Sequence, residues 1–258
     1  MGGGVFLGVS TYNRPDYLRQ AVAPAATGVY ADVDYMAVLH DGPTAGPFLP
    51  TWRGTQHNPW LFAHRATTKR GGVAAVKNQL LAIALTTPAE WIILAEDDIV
   101  AQSREAVRGY VAAAERSGIE HLCFHAHGDA NAGRDRGIDD TGSVTFWPNW
   151  VGAWTLTSRR AVEKAGMLDE DMFNALEHVE WSLRLAAAGF CPLPEGPGLA
   201  RVPDATGSEQ WLAEIPGSID GSAILADGGV VAQRDRFAYS REVWRAKRPD
   251  TYHLLFGQ

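Results

Sequence analysis

Apolar positions along this chain fall into short unbroken runs separated by longer periodic stretches. Val5-Phe6-Leu7-Gly8-Val9, Tyr35-Met36-Ala37-Val38-Leu39 and Trp91-Ile92-Ile93-Leu94-Ala95 are runs of the first kind. Runs this short, with no polar face, predict strands covered on both sides, as in a mostly parallel sheet. Between them, Tyr17, Leu18 and Val22 follow Pro15, and Val73, Val76, Leu80 and Ala84 follow Gly71-Gly72. Both sets predict helices with one apolar side. Pro15 suits a first helical position, and Asn13 is placed to cap it. Strand and helix therefore alternate from Val5 to Ala95, the pattern of a doubly wound α/β unit.

Further on, Val107, Tyr110, Val111 and Ala114 predict a helix capped by Ser103 and stopped by Gly118. His121–His127, Val144–Trp147 and Val151–Thr157 read as strands, and Ser158 is placed to cap a helix ending at Gly166. Leu176, Val179, Leu183 and Ala187 predict a helix from about Leu176 to Ala188, and a terminal helix is expected around Ser240–Lys247. Ala45–Thr68 shows no period and reads as loop with a short strand. Gly128–Gly142, polar and rich in Gly and Asp, reads as a long loop able to act as a lid.

Composition narrows the picture only at its edges. Hydrophobic content of 46% and charged content of 21% are ordinary for a soluble globular chain of 258 residues. The formal charge of −7 gives no general reason to bind nucleic acid. Cys123 and Cys191 form no CxxC pair, which excludes a zinc ribbon and a disulfide-dense scaffold. No apolar run approaches membrane-spanning length, and Met1-Gly2-Gly3-Gly4 does not open a signal peptide, so a cytoplasmic location is expected.

The chemistry begins where the strand Trp91–Ala95 runs into Glu96-Asp97-Asp98. These acids fall at a strand's carboxyl end, the edge where open α/β sheets bind ligands. Adjacent carboxylates repel one another, and a divalent cation relieves that repulsion. Magnesium and manganese take oxygen ligands and keep positions open for water and phosphate oxygens. The cluster points to a metal–diphosphate site, although a solvated acidic turn accounts for the tripeptide alone more simply. Asp41-Gly42-Pro43 likewise ends a predicted strand in turn chemistry. Glu177 and Glu180 share one helix face, and Glu180 with Arg184 has the spacing of a surface ion pair. His125 and His127 share a strand face. No third zinc ligand stands at suitable spacing, so the pair reads as structural or acceptor-facing.

The order of these features resembles the family 2 type of GT-A glycosyltransferase, enzymes that move a sugar from a nucleotide-sugar donor. The resemblance runs from Val5 to Phe190. It matches a Thr-x-Asn-Arg-Pro loop at Thr11–Pro15, an Asp-Gly turn at Asp41-Gly42, and a Gly-x-x-x-x-Arg-Asn helix at Gly72 to Lys77-Asn78, with Lys for Arg. It also matches an Asp-x-Asp motif at Glu96-Asp97-Asp98, a Gly-x-x-Asp-Glu element at Gly166–Glu170, and a Glu-Asp-x-Asp-x-x-x-Arg helix at Glu177–Arg184. A GT-A-like, Rossmann-type, mostly parallel sheet flanked by helices is implied. So is a single domain with a nucleotide-binding half to about residue 100, an acceptor and catalytic half to about 200, and an extension over 201–258.

The resemblance implies a nucleotide-diphosphate sugar as donor, bound by Thr11, Asn13, Arg14, Asp41, Lys77, Asn78, Glu96 and Asp97. It implies Mn2+ or Mg2+ at Asp98, with Glu96 as second ligand or ribose contact. The family's second acid of the Glu-Asp pair, often the base of inverting members, is His178 here, so either His178 or Glu177 takes that role. Trp147, Trp150, Trp154 and Trp181 flank the implied acceptor side together with Gly152 and Glu180. Indole faces stack on sugars and nucleobases alike, which suggests a ring-containing acceptor, while Trp154 and Trp181 serve equally well as core. Glycan, lipid-linked sugar, protein or a hydroxymethylated DNA base all suit that description. Nucleic acid enters only as acceptor, with Arg134, Arg136, Arg159 and Arg160 as its candidate groove. The alternative is a non-catalytic nucleotide- or glycan-binding module, kept open by His178.

Overall fold

The structure, a computed structural model, describes residues 3–41, 60–62, 71–172, 175–218 and 229–257. Gly42, Pro43 and the Ala45–Thr68 stretch, apart from Trp60–Phe62, lie outside the described residues.

Strand β1 (Gly4–Thr11) lies between β2 (Tyr35–His40) and β4 (Ala89–Glu96), parallel to both. Strand β3 (Trp60–Phe62) adds to β2 in parallel. On the other side β8 (Trp154–Ser158) joins β4 antiparallel, and β6 (His121–Cys123) joins β8 antiparallel. The sheet has six strands in the order β3-β2-β1-β4-β8-β6. The mostly parallel sheet expected from the apolar runs is present, with its direction reversed at β8.

Alternate residues of the apolar runs serve opposite layers, as the pleat requires. Val5, Leu7, Val9, Ile93 and Ala95 pack with α1 (Pro15–Val22) and α3 (Glu105–Ser117). Phe6, Ile92 and Leu94 pack with α2 (Gly72–Thr86), α4 (Arg159–Ala165) and α5 (Glu177–Ala187). Each such side chain, fully buried, contributes about 1.5–3 kcal/mol. Both layers fix β4, and therefore fix where its terminal acids stand.

Helix boundaries follow local chemistry. Ser158 Oγ accepts from Ala161 N at 3.0 Å, and Gly118 ends α3 in the left-handed conformation. Neither Asn13 nor Ser103 makes the expected cap: Arg14 and Arg104 hold those positions without side-chain caps. The expected strand Val144–Trp147 is present as β7 and pairs antiparallel with β9 (Val202–Ala205), which the sequence pattern did not show. Nor did the pattern show β5 (Ile99–Ala101), which pairs antiparallel with β10 (Leu212–Glu214). Strands of three or four residues are too short to display a period. The terminal helix is two helices, α6 (Gly229–Lys247) and α7 (Pro249–Phe256), because Pro249 cannot continue the first. Among the described residues no helix is long and apolar enough to cross a membrane.

Candidate active site

The carboxyl ends of β1 and β4 meet in a buried acidic lip. Thr11 Oγ1 donates to Asp97 Oδ2 at 2.5 Å. The Arg14 guanidinium spans both aspartates: it donates to Asp97 Oδ1, to Asp98 Oδ2 at 3.0 Å, and to the Ser218 carbonyl at 3.2 Å. Such charge-assisted contacts are the stronger class of hydrogen bond. Burial, opposed by Arg14 and reinforced by the Asp98 charge, pushes the Asp97 carboxyl up to about 7. Burial also raises Asp98, but the hydrogen bonds and charges of His127 and Arg14 outweigh it and hold that carboxyl below the usual range.

His127 is the residue that spacing missed. Strand β6 ends at Cys123, so the two histidines do not share a strand face. His125 Nδ1 turns to Asp204 at 2.7 Å and its ring lies flat on Trp147, with centroids 3.6 Å apart. His127 Nε2 instead stands 3.5 Å from Asp98 Oδ2. Burial lowers the His127 imidazole, yet Asp98, Glu96 and Glu214 outweigh this and raise it. Glu96, expected as the second metal ligand, is paired with Lys77 Nζ at 2.7 Å.

In one respect the residues present fit a divalent ion. Asp98 is 5% exposed, and its Oδ1 has no hydrogen-bond partner. A buried carboxylate oxygen without a donor is what a cation satisfies. Among the described residues no three His, Cys, Asp or Glu side chains converge into a complete cage. A magnesium ion held by so few protein ligands would keep waters and substrate phosphates as the rest of its shell.

Lys77 connects this lip to a second group. Its Nζ donates to Glu96 Oε1 and, at 2.9 Å, to the Gly152 carbonyl, leaving one of its three donors. Burial disfavours its charge, but Glu96, Glu177 and Asp98 together hold its pKa up. Gly152 lies under the His178 ring, where an added Cβ would come within 2.6 Å of Cγ. Only glycine permits that approach. His178 Nδ1 is 3.2 Å from Glu177 Oε1, while Glu177 Oε2 is buried without a partner. Burial raises Glu177, but the hydrogen bond and charge of His178, with Lys77, bring it below the usual carboxylate range. An ionised Glu177 accepts from Nδ1–H, and in the neutral ring that tautomer carries its lone pair on Nε2. The His178 side chain is 26% exposed, so this dyad is open at its imidazole end.

Several expected site residues are placed otherwise. Both Asp41 oxygens accept from the amides of Gly71 and Gly72, at 2.9 and 2.8 Å, fastening the start of α2. Asn78 exchanges hydrogen bonds with Leu168 and reaches Glu170, and so ties α2 to that turn. The Asn13 amide donates to His40 Nε2 at 3.2 Å. Trp154 is 0% exposed on the central sheet and cannot stack on an acceptor. Trp181 is core as well, with Nε1 donating to the Gly166 carbonyl. Glu180 is wholly buried and bound to Arg184 and Arg248, so it does not face an acceptor. Trp150 packs on His121 and keeps a buried, unpaired indole N–H. Arg159 is bound to the carbonyls of Ala84, Leu85, Thr87 and Ala89, and Arg160 to Glu120. They sit at the opposite end of β4 from Asp98, which removes the arginine groove as a single surface beside the site. The Gly128–Gly142 stretch is pinned through Asn131, which bonds the Asn149 backbone and the His125 carbonyl.

The mostly parallel sheet flanked by helices, with its reversal at β8, is a GT-A-like architecture. No protein-family model matches the chain, and no curated protein matches it by sequence. Solved structures do. The chain is similar over 97% of its length to 74% of S. aureus TarS (residues 1–349), with a TM-score of 0.57 and 10% identity. It is similar over 95% of its length to 76% of the mannosyltransferase PcManGT from Pyrobaculum calidifontis, solved with GDP-Man and Mn2+, with a TM-score of 0.52 and 13% identity. For Drosophila β-1,4-galactosyltransferase 7, solved with manganese, UDP-Gal and xylobiose, the TM-score is 0.51 at 15% identity, covering 85% of this chain and 74% of that one. At these identities the likeness establishes the fold.

Proposed function

We propose that this protein transfers a sugar from a nucleotide-diphosphate sugar to a hydroxyl of a ring-containing acceptor, with His178 as general base. The observation that carries the reading is Lys77. One buried ammonium joins Glu96 of the acidic lip to the Gly152 carbonyl beneath His178, which supports reading the two groups as parts of one site.

The donor is assigned to the carboxyl ends of β1 and β4, where open α/β sheets take ligands. Thr11 and Arg14 hold Asp97 there, and Asn13 and His40 shape the adjoining turn. Asp98 and His127 would hold Mn2+ or Mg2+, which supplies Lewis-acid stabilisation of the departing diphosphate. Glu177 holds His178 Nδ1–H, fixing the ring so that Nε2 takes the proton of the attacking hydroxyl. This is the orienting logic of an acid–histidine pair, with Glu177 as the orienter. Trp150, through its unpaired indole N–H, and Gly152 border the acceptor side.

The test is release of free nucleoside diphosphate from a panel of UDP-, GDP-, ADP-, CDP- and dTDP-sugars with manganese or magnesium, with glycan and lipid-linked acceptors present. Release from at least one donor that stops in His178→Ala supports transfer. Nucleotide binding without release from any donor would establish the non-catalytic binding module instead.

A further inference from the structure

The segment that delivers Glu177 and His178 is held from behind by the C-terminal helices. Glu180, on the first turn of α5, is a wholly buried carboxylate. Arg184 donates to it from Nε at 2.6 Å and from Nη2 at 2.9 Å. Arg248, at the junction of α6 and α7, places Nε 3.0 Å from the same carboxylate, an ion pair not aligned as a hydrogen bond. Arg184 also donates to the carbonyls of Ala165 and Met167. Next to Arg248, Lys247 Nζ grips Asp169 at 2.9 Å and Asp171 at 2.5 Å. Ser240 Oγ donates to the Met172 carbonyl at 3.0 Å. The chain entering α5 and the first turn of that helix are thus both tied to one short stretch of the C-terminal segment.

Arg184 alone balances the charge of Glu180, so a second guanidinium is more than neutrality requires. Its backbone is held at the helix corner: the Arg248 amide donates to the Trp244 carbonyl at 2.8 Å, its carbonyl accepts from Tyr252 N at 3.0 Å, and Trp244 is fully buried, while the Arg248 side chain is 43% exposed. A contact from this corner to Glu180 bears on the rotation of α5 about its own axis. His178 tolerates little rotation, because its ring rests directly on the Gly152 backbone.

We propose that Arg248 is a positioning residue for His178, acting through Glu180, and that the α6–α7 corner belongs to the catalytic apparatus. The inference rests on His178 being the base. Misplacing a reacting group by about 1 Å costs up to roughly 10²-fold in rate.

The experiment compares wild type, Arg248→Ala and Arg248→Lys by donor kinetics and by the NMR signal of the His178 ring. Arg248→Ala leaves Glu180 paired with Arg184, so no buried charge is stranded. The expected result is a kcat about tenfold or more lower, a donor KM within about twofold, a shifted His178 resonance, and recovery of most of both in Arg248→Lys. Arg248→Gln, measured below its own Tm, provides the same comparison if the alanine variant unfolds. A lowered Tm with kcat and the His178 resonance unchanged overturns the inference. If wild type transfers no sugar, the base assignment fails on its own, and the resonance then decides whether Arg248 positions the ring: a shift supports it and no shift overturns it.

Discussion

The two ends of the central sheet carry similar side chains and treat them differently. At the amino end of β4, a groove of about 480 Å³ is lined by Glu90, Trp91, Glu115, Glu120, Arg159, Arg160 and Glu163, among others. Arg159 there satisfies carbonyls at the end of α2, Arg160 pairs with Glu120, and none of these polar side chains is buried without a partner. At the carboxyl end, Arg14, Lys77, Glu96, Asp97, Asp98 and Glu177 are just as charged, yet Asp98 Oδ1 and Glu177 Oε2 are left over. Each buried polar atom without a partner costs about 1–3 kcal/mol. Density of charge is common to both ends. Of these two ends, among the described residues, the carboxyl end is the one with buried carboxylate oxygens that lack a donor.

The largest test of this contrast is Asp98→Ala. Turnover should fall by at least about 10²–10³-fold, the scale of one transition-state electrostatic contact. Manganese binding, followed by the loss of free-ion EPR signal, should weaken with it while circular dichroism is unchanged. Full activity in that variant would dissolve the difference between the two ends.

Next comes the dyad. His178→Ala should lower kcat by about 10²–10⁴-fold with donor affinity retained. Glu177→Gln should follow in the same direction with a smaller loss, because the ring remains but its orienting charge is gone. An equal loss of kcat and donor affinity in Glu177→Gln would make Glu177 a structural group.

Arg159→Ala sharpens the contrast from the other side. Losing hydrogen bonds from a charged donor should cost about 1.5–3 kcal/mol of stability, seen as a lowered denaturation midpoint, with kcat unchanged in the folded protein. A collapse of kcat at full folding would extend the catalytic apparatus to that end.

A smaller effect is read by pH. Asp97 is raised to about 7 in the folded chain, while an unfolded aspartate titrates near ~3.9. Between those values the folded state holds a proton that the unfolded state has lost, so this group's contribution to stability is full at acid pH and is lost as pH rises through about 7. Asp97→Asn should flatten that slope in urea unfolding from pH 5 to 8, and an undiminished slope would assign it elsewhere. Smallest of all, Arg160→Ala removes an exposed ion pair with Glu120 and should change neither turnover nor midpoint measurably.

Legibility followed the range of the forces involved. Runs such as Trp91–Ala95 announced buried strands, and Ser158 and Gly118 marked helix ends, because pleat and cap geometry act over a few residues. The ordered motifs placed Glu177, His178, Lys77 and Glu96 in one reading, and in the structure Lys77 Nζ bonds Glu96 and the Gly152 carbonyl that lies under His178. Partnerships were not legible. His127 beside Asp98 depends on β6 stopping at Cys123, and Arg248 beside Glu180 depends on a helix corner remote in sequence. Trp154 looked equally suited to stacking or to the core until its strand was found in the middle of the sheet.

The sequence by itself determined the longer elements and the edge of the sheet at which acids would gather, since hydrophobic periodicity and turn chemistry are local properties of a chain. Which charges neutralise one another, and which oxygen is left without a donor, was decided only when distant segments packed. A buried ion pair depends on distance and solvent exclusion, and neither is written in the spacing of residues.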